Sequence, residues 1–222
     1  MTIDNLSDLD FSEEIWKKVE NQDKLKNNFE KLSKITDKWG IIRQVYMENI
    51  SDIMAACTKN KNIGIDPYFI DWADYLTPIQ NIAWTEIRSS NTVFYPQFPL
   101  FNNFIDFANP YLKIGIELDV KESYDPIADK ERNHVFAEYG WKIFRITEAE
   151  CFATYKSFDE IEETDNREEE IGNWMLNTCS GVIHAISQVY FTKPESRSKE
   201  LLNHTFETLS KHQLATFDLD IS

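Results

Sequence analysis

One stretch leaves this chain little choice of fold: residues 113–147. Ile114, Ile116, Leu118 and Val120 alternate with Lys113, Gly115, Glu117, Asp119 and Lys121, the two-residue period of a β-strand with one apolar and one polar face. Asp125-Pro126 then supplies a helix cap and a proline at the first helical position, where its missing N–H leaves no bond unmade. The helix it opens reaches Tyr139 and stops at Gly140, and 141–147 reads as a further strand. Strand, helix and strand make a βαβ unit, right-handed in nearly all cases. The fold class is therefore α/β.

Upstream, Thr77-Pro78 repeats the cap-and-proline signal, and Ile79, Ile82, Ala83 and Ile87 give the helix it opens an apolar face. Short β-prone stretches follow at 92–97 and 104–107. Residues 77–150 thus read as helix, meandering strands, helix, strand. On either side the periodicity is helical. Ser12 is a cap for a long first helix with Ile15, Val19, Phe29, Leu32, Ile35 and Trp39 on its apolar face and Gly40 as its stop, and a shorter helix follows at 41–57. Near the other end, one apolar stripe runs through Ile171, Trp174, Met175, Val182, Ile186 and Val189, and another through Leu201, Leu202, Phe206 and Leu209. Three segments result: a helical 1–76, an α/β core at 77–150, and an acidic linker with helices at 151–222.

Charge narrows the functional classes. The chain carries 38 acidic and 23 basic side chains, a net of −15, which argues against a protein that grips nucleic acid by cation density alone. The acidity is uneven, however. Residues 159–170 hold eight acids and one Arg, nearly half the net charge, and mark a boundary. With 14% aromatic residues the chain can bury a core, so it folds despite its charge. Cys57, Cys151 and Cys179 show neither metal-ligand nor disulfide-scaffold spacing, which predicts a reducing, cytoplasmic setting. No apolar run suits a membrane span, and the first residues lack the layout of a signal peptide.

The chemistry concentrates on the strand at 113–120. Glu117 and Asp119 point the same way, about 7 Å apart along the strand by its rise per residue. Asp106 stands on the preceding strand in the apolar setting Phe104-Ile105-Asp106-Phe107. Carboxylates converging from adjacent strands repel one another unless a cation lies between them, and hard oxygen donors suit Mg²⁺ or Mn²⁺. Such a metal can activate water and stabilise charge on a phosphodiester.

The run Thr77-Pro78-Ile79-Gln80-Asn81-Ile82-Ala83-Trp84, Ile87-Arg88, Gln97, Asp106-Phe107, Glu117-Leu118-Asp119, Asp129, Arg132, Gly140 and Phe144-Arg145 resembles the very-short-patch-repair-like branch of the PD-(D/E)XK nuclease superfamily. The resemblance spans roughly 77–150, a third of the chain. It implies a restriction-endonuclease-like mixed β-sheet core flanked by helices, with the helical segments as N- and C-terminal extensions, and metal-dependent hydrolysis of DNA phosphodiesters. Asp106 would be the first metal-binding acid and Glu117 the second. Asp119 falls where the superfamily often places a lysine, and Lys121 stands on the same strand face as a substitute. Gln80 and Gln97 are supporting residues. Three positions depart from the branch: Gln80 replaces its usual helix Glu, Val120 its Gly, and Ser123 or Tyr124 its His.

Several of these residues carry a second reading. Thr77-x-x-Gln80 matches a capping box, Asp119 suits a solvated strand end, and Asp129 with Arg132 suits an i, i+3 surface pair. Arg145 is placed to hold an acid of the core. For DNA, Lys17, Lys24, Lys31 and Lys38 recur every seven residues with Lys34 beside them, in a stretch (17–43) with eight basic and four acidic side chains. Glu20–Lys24 and Glu30–Lys34 also fit an ordinary solvated helix face. Two functions remain in play. One is a Mg²⁺-dependent DNA endonuclease in repair or defence against foreign DNA. The other is a nuclease-like protein without activity, serving as an interaction module for a protein or nucleic acid. Both imply a protein partner and no membrane.

Overall fold

The computed structural model describes residues 38–59, 72, 75–90, 92–119, 126–156, 160–161, 165–197, 199 and 201–213. Helix α1 (Lys38–Lys59) runs straight through Gly40, the position expected to end a helix. A single glycine costs a helix about 1 kcal/mol, and the turns beyond it repay that by burying Ile42, Val45, Tyr46, Ile53, Ala56 and Cys57. Trp39, expected on an apolar helix face, is 46% exposed and lies against the Phe104 ring at 4.7 Å. The helix packs on the first strand, where the Tyr46 hydroxyl donates to the Pro96 carbonyl.

Helix α2 (Pro78–Ser89) begins as its sequence predicts. The Gln80 amide donates to Thr77 Oγ1 and the Thr77 amide donates to Gln80 Oε1, a closed capping box. Ile79, Ala83, Trp84 and Ile87 form its buried face, with Trp84 stacked on Phe107 at 5.8 Å.

Strands β1 (Tyr95–Leu100), β2 (Asn103–Asn109) and β3 (Ile114–Asp119) form an antiparallel meander, and β4 (Lys142–Thr147) pairs parallel to β3. The order β1-β2-β3-β4 makes an open mixed sheet flanked by helices. The first strand lies three residues later than expected. Pro96 and Pro99 obscure it, yet both are tolerated because β1 is an edge strand. Thr92, Val93 and Phe94 are buried without being in a strand; the Asn109 side chain fastens them by donating to the Val93 carbonyl. Helix α3 (Pro126–Glu138) connects β3 to β4. Gly140 ends it at φ +76°, with its amide donating to Ala137 and that of Trp141 to Phe136, a Schellman closure.

After β4 the chain turns at once into α4 (Glu148–Cys151), capped by Thr147. Part of the acidic block is not a linker. Glu168, Glu169 and Glu170 occupy the first turn of α5 (Arg167–Asn177), where the helix dipole favours them. The apolar stripe expected from Ile171 to Val189 breaks at Thr178, which caps α6 (Cys179–Ile186). A π-helical turn, Ser187–Phe191, extends α6. On α7 (Leu202–His212) the buried side chains are Thr205, Thr208, Leu209 and His212, while Phe206, expected on the apolar stripe, is 53% exposed. Helix α6 packs on α2 and β4, and α7 on β4, so these helices share one apolar core with the sheet. Cys57, Cys151 and Cys179 are buried free thiols. Among the described residues no helix is long and apolar enough to cross a membrane.

Candidate functional site

Strand register builds the site. Pro96 faces Phe107 and Phe98 faces Ile105, so Gln97 and Asp106 stand opposite each other between those pairs. The β2–β3 ladder ends at Phe107 and Ile116, one step short of Asp106 and Glu117, and Glu117 pairs with Arg145 on β4. Gln97, Asp106, Glu117 and Arg145 therefore form one row across all four strands. Gln97 takes a left-handed φ of +50° there, which interrupts the edge strand at the row.

Side chains take over where the backbone ladder stops. Asp106 Oδ2 accepts from the Leu118 amide at 2.9 Å, and Glu117 Oε1 accepts from the Asp106 amide at 3.4 Å. Each strand's acid thus satisfies an amide on or beside the other acid's position. Asp106 Oδ1 accepts two further bonds, from Gln80 Nε2 at 2.8 Å and Gln97 Nε2 at 3.0 Å. Gln80 consequently fills both of its roles. Its oxygen closes the α2 cap and its nitrogen holds the strand acid, so the helix start is positioned by the site it supports.

Glu117 is 6% exposed, and its second oxygen meets Arg132 Nη2 from α3 at 3.3 Å. Arg132 therefore reaches across to a strand carboxylate, a contact that spacing along its own helix does not indicate. Burial pushes the Glu117 carboxyl up to about 8, with the neighbouring Asp106 charge adding to the rise and Arg132 opposing it. Asp106 is also raised, by burial, against the Leu118 amide and the two glutamines that favour its ionised form.

Asp119 does not join this pair. Its carboxylate takes Arg145 Nη1 at 3.1 Å and is 41% exposed, so Arg145 holds an acid of the sheet. A second Arg145 nitrogen stands 3.5 Å from Asn133 Oδ1 on α3. Among the described residues no three Asp, Glu, His or Cys side chains gather round a common metal position. Lys121, Val120, Ser123 and Tyr124 lie outside the described residues, as do Lys17, Lys24, Lys31 and Lys34. Lys38 begins α1, and its side chain is likewise outside the description.

Three residues named in the sequence have roles that it did not assign. Arg132 was visible beside Asp129, but its partner sits on another element. The Leu118 amide becomes a donor because β2 and β3 part there. Gly115 is required by packing: a Cβ on it would stand 2.7 Å from Ile105 Cγ2 and 2.8 Å from Ile143 Cδ1.

The donor chemistry suits a hard cation. Glu117 is buried and Asp106 half-buried beside it; burial raises the Glu117 carboxyl and the Asp106 charge adds to the rise. Magnesium is commonly held by one or two protein carboxylates and completes its shell with water. The pair therefore fits a two-carboxylate site, with Asp119 set apart from it. No protein-family model, curated protein or solved structure matches this chain.

Proposed function

We propose that this protein is a metal-dependent endonuclease that hydrolyses DNA phosphodiester bonds, built on a PD-(D/E)XK core. The observation that carries the reading is the pair of half-buried Asp106 and buried Glu117 on the adjacent strands β2 and β3, Asp106 accepting from the Leu118 amide and Glu117 from the Asp106 amide. The coarse architecture is compatible with it: an open mixed sheet flanked by helices is what the family resemblance implies.

Asp106 and Glu117 would hold Mg²⁺ or Mn²⁺, with the Leu118 carbonyl between the strand acids as a further donor. When bound, the metal supplies an acidified water and a positive charge beside the phosphate. Gln80 and Gln97 fix the rotamer of Asp106 through Oδ1, so a metal would use Oδ2, which accepts one bond, from the Leu118 amide. Arg145 fixes Asp119 at the rim, where that carboxylate can orient water. Lys121 is the remaining candidate for charge beside the leaving oxygen. DNA would reach the site with help from the lysines of the first segment or from a protein partner, since the chain as a whole is acidic.

Glu117→Gln keeps the shape of the side chain and removes its charge. That variant is expected to lose metal-dependent nicking of supercoiled plasmid while keeping its circular dichroism spectrum. Nicking at the wild-type rate would overturn the assignment.

A second reading has its own observation. Each acid already has a protein partner: Arg132 for Glu117, Arg145 for Asp119, two glutamines for Asp106. A core so satisfied can stand without metal, as an interaction module. Thermal melting separates the two. A working pair gains stability in millimolar Mn²⁺ through linkage, and an inert one melts at the same temperature with or without it.

A further inference from the structure

We propose that Arg132 is the resident counter-cation of the Asp106–Glu117 pair and occupies the position a divalent metal takes, so that metal entry and release of the guanidinium from Glu117 are a single exchange. This inference rests on the metal-site reading above.

The geometry sets up the competition. Arg132 Nη2 lies 3.3 Å from Glu117 Oε2, the oxygen left over once Oε1 has accepted from the Asp106 amide. A metal using Glu117 needs that same oxygen. The guanidinium comes from α3, so it can withdraw without disturbing either strand. Its side chain is 27% exposed against 8% for Glu117, which puts it at the boundary between the acids and water.

Charge explains why the two cations exclude each other. With both carboxyls ionised, the pair with one guanidinium sums to −1, with one divalent ion to zero, and with both to +1. The last arrangement crowds like charges in a low-dielectric site, so the guanidinium leaves as the metal arrives. Arg145 cannot substitute, because Asp119 holds it. In the absence of metal, Arg132 meets the Glu117 charge whenever that carboxyl is ionised, so it does not stand buried and unmatched. A purely structural ion pair would share this geometry but behave oppositely when cut: losing it would loosen the site and weaken any ligand.

The test measures free Mn²⁺ by electron paramagnetic resonance during titration of the full-length protein, wild type against R132Q, R132K and E117Q. Titrations run without oxygen at pH 8.5, on the alkaline side of Glu117, so that protons compete less for the same oxygen. Removing the competitor raises the fraction of molecules ready for metal, so R132Q is expected to bind Mn²⁺ about three- to tenfold more tightly than wild type. R132K keeps a cation with a shorter reach and fewer donors and should fall between them. E117Q should lose binding. If wild type binds and E117Q does not, yet R132Q binds equally or more weakly, the exchange is overturned while the metal site stands. If neither wild type nor R132Q takes up Mn²⁺ into the millimolar range, the metal site itself fails and the exchange with it. Should R132Q not fold, R132K decides alone: tighter than wild type supports the exchange, and equal or weaker affinity overturns it.

Discussion

Glu117 shows how much of this site is set by a single side chain's surroundings. Its carboxyl ordinarily titrates near 4.5 and is pushed up to about 8 by burial and by Asp106. Between those values the folded protein holds a proton that the unfolded chain releases, so the stability attached to this group is full below about pH 4.5 and falls as pH rises through 8. Glu117→Gln has no such titration. In metal-free buffer, the melting temperature of Glu117→Gln relative to wild type should therefore climb steadily from pH 5 to pH 8.5. A difference independent of pH would mean that Glu117 is ionised throughout and fully matched by Arg132. The sequence identifies Glu117 and Asp106 as acids in apolar strands, and that much is legible from alternation. Arg132 is less so. Linear spacing suggests neighbours on the same helix, whereas its partner is set by how α3 lies over β3, which no local pattern encodes. Gln80 is a third kind of case. Its oxygen closes the cap read from the sequence while its nitrogen donates to Asp106, since an amide has one oxygen and one nitrogen to give.

At the scale of elements, β3 is where the alternation is clearest and where it misleads. The residues assigned to a polar face, Gly115 and Glu117, are as buried as Ile114 and Ile116. The strand lies inside the sheet, between β2 and β4, so both of its faces can be covered. Gly115 belongs to that covering. A methyl group there would meet the side chains of Ile105 and Ile143 at 2.7 and 2.8 Å, from strands on both sides, so one or both must shift to admit it. Gly115→Ala is expected to destabilise the protein by about 1–3 kcal/mol through overpacking, read from urea unfolding curves with an unchanged slope. It should also weaken Mn²⁺ binding, because β3 carries Glu117 two residues on. Unchanged stability would show that Ile105 has a free rotamer into which it can retreat. Helix starts were easier to read than strand edges. A capping box such as Thr77–Gln80 is complete within four residues, while the end of β1 depends on which neighbour its prolines leave unbonded.

Across the whole molecule, the helices after β4 share the apolar core of the sheet, and one carboxylate adds a polar tie between the sheet, α4, α5 and α7. Glu150 Oε1 receives His212 Nε2 at 2.9 Å and Lys211 Nζ at 3.3 Å from α7, while Oε2 closes the Thr147 cap that turns β4 into α4. Lys211 also donates to the Leu176 carbonyl at the end of α5, so sheet, α4, α5 and α7 meet at this point. The Thr147–Glu150 cap is a local pattern, but the contact that joins α7 to it is not, since Glu150 and His212 lie 62 positions apart. Burial alone would raise the Glu150 carboxyl, but the hydrogen bonds from His212 and Thr147 outweigh it and hold it at about 2. A carboxyl depressed in this way adds stability above its ordinary 4.5 and loses it as pH falls toward 2. Glu150→Gln keeps the size of the side chain and removes the charge that His212 and Lys211 meet. Wild type should melt above Glu150→Gln at pH 7, and the gap should close as pH drops from 5 toward 3, followed by circular dichroism. A gap that persists undiminished at pH 3 would place the contribution in shape and packing rather than in the charge of Glu150.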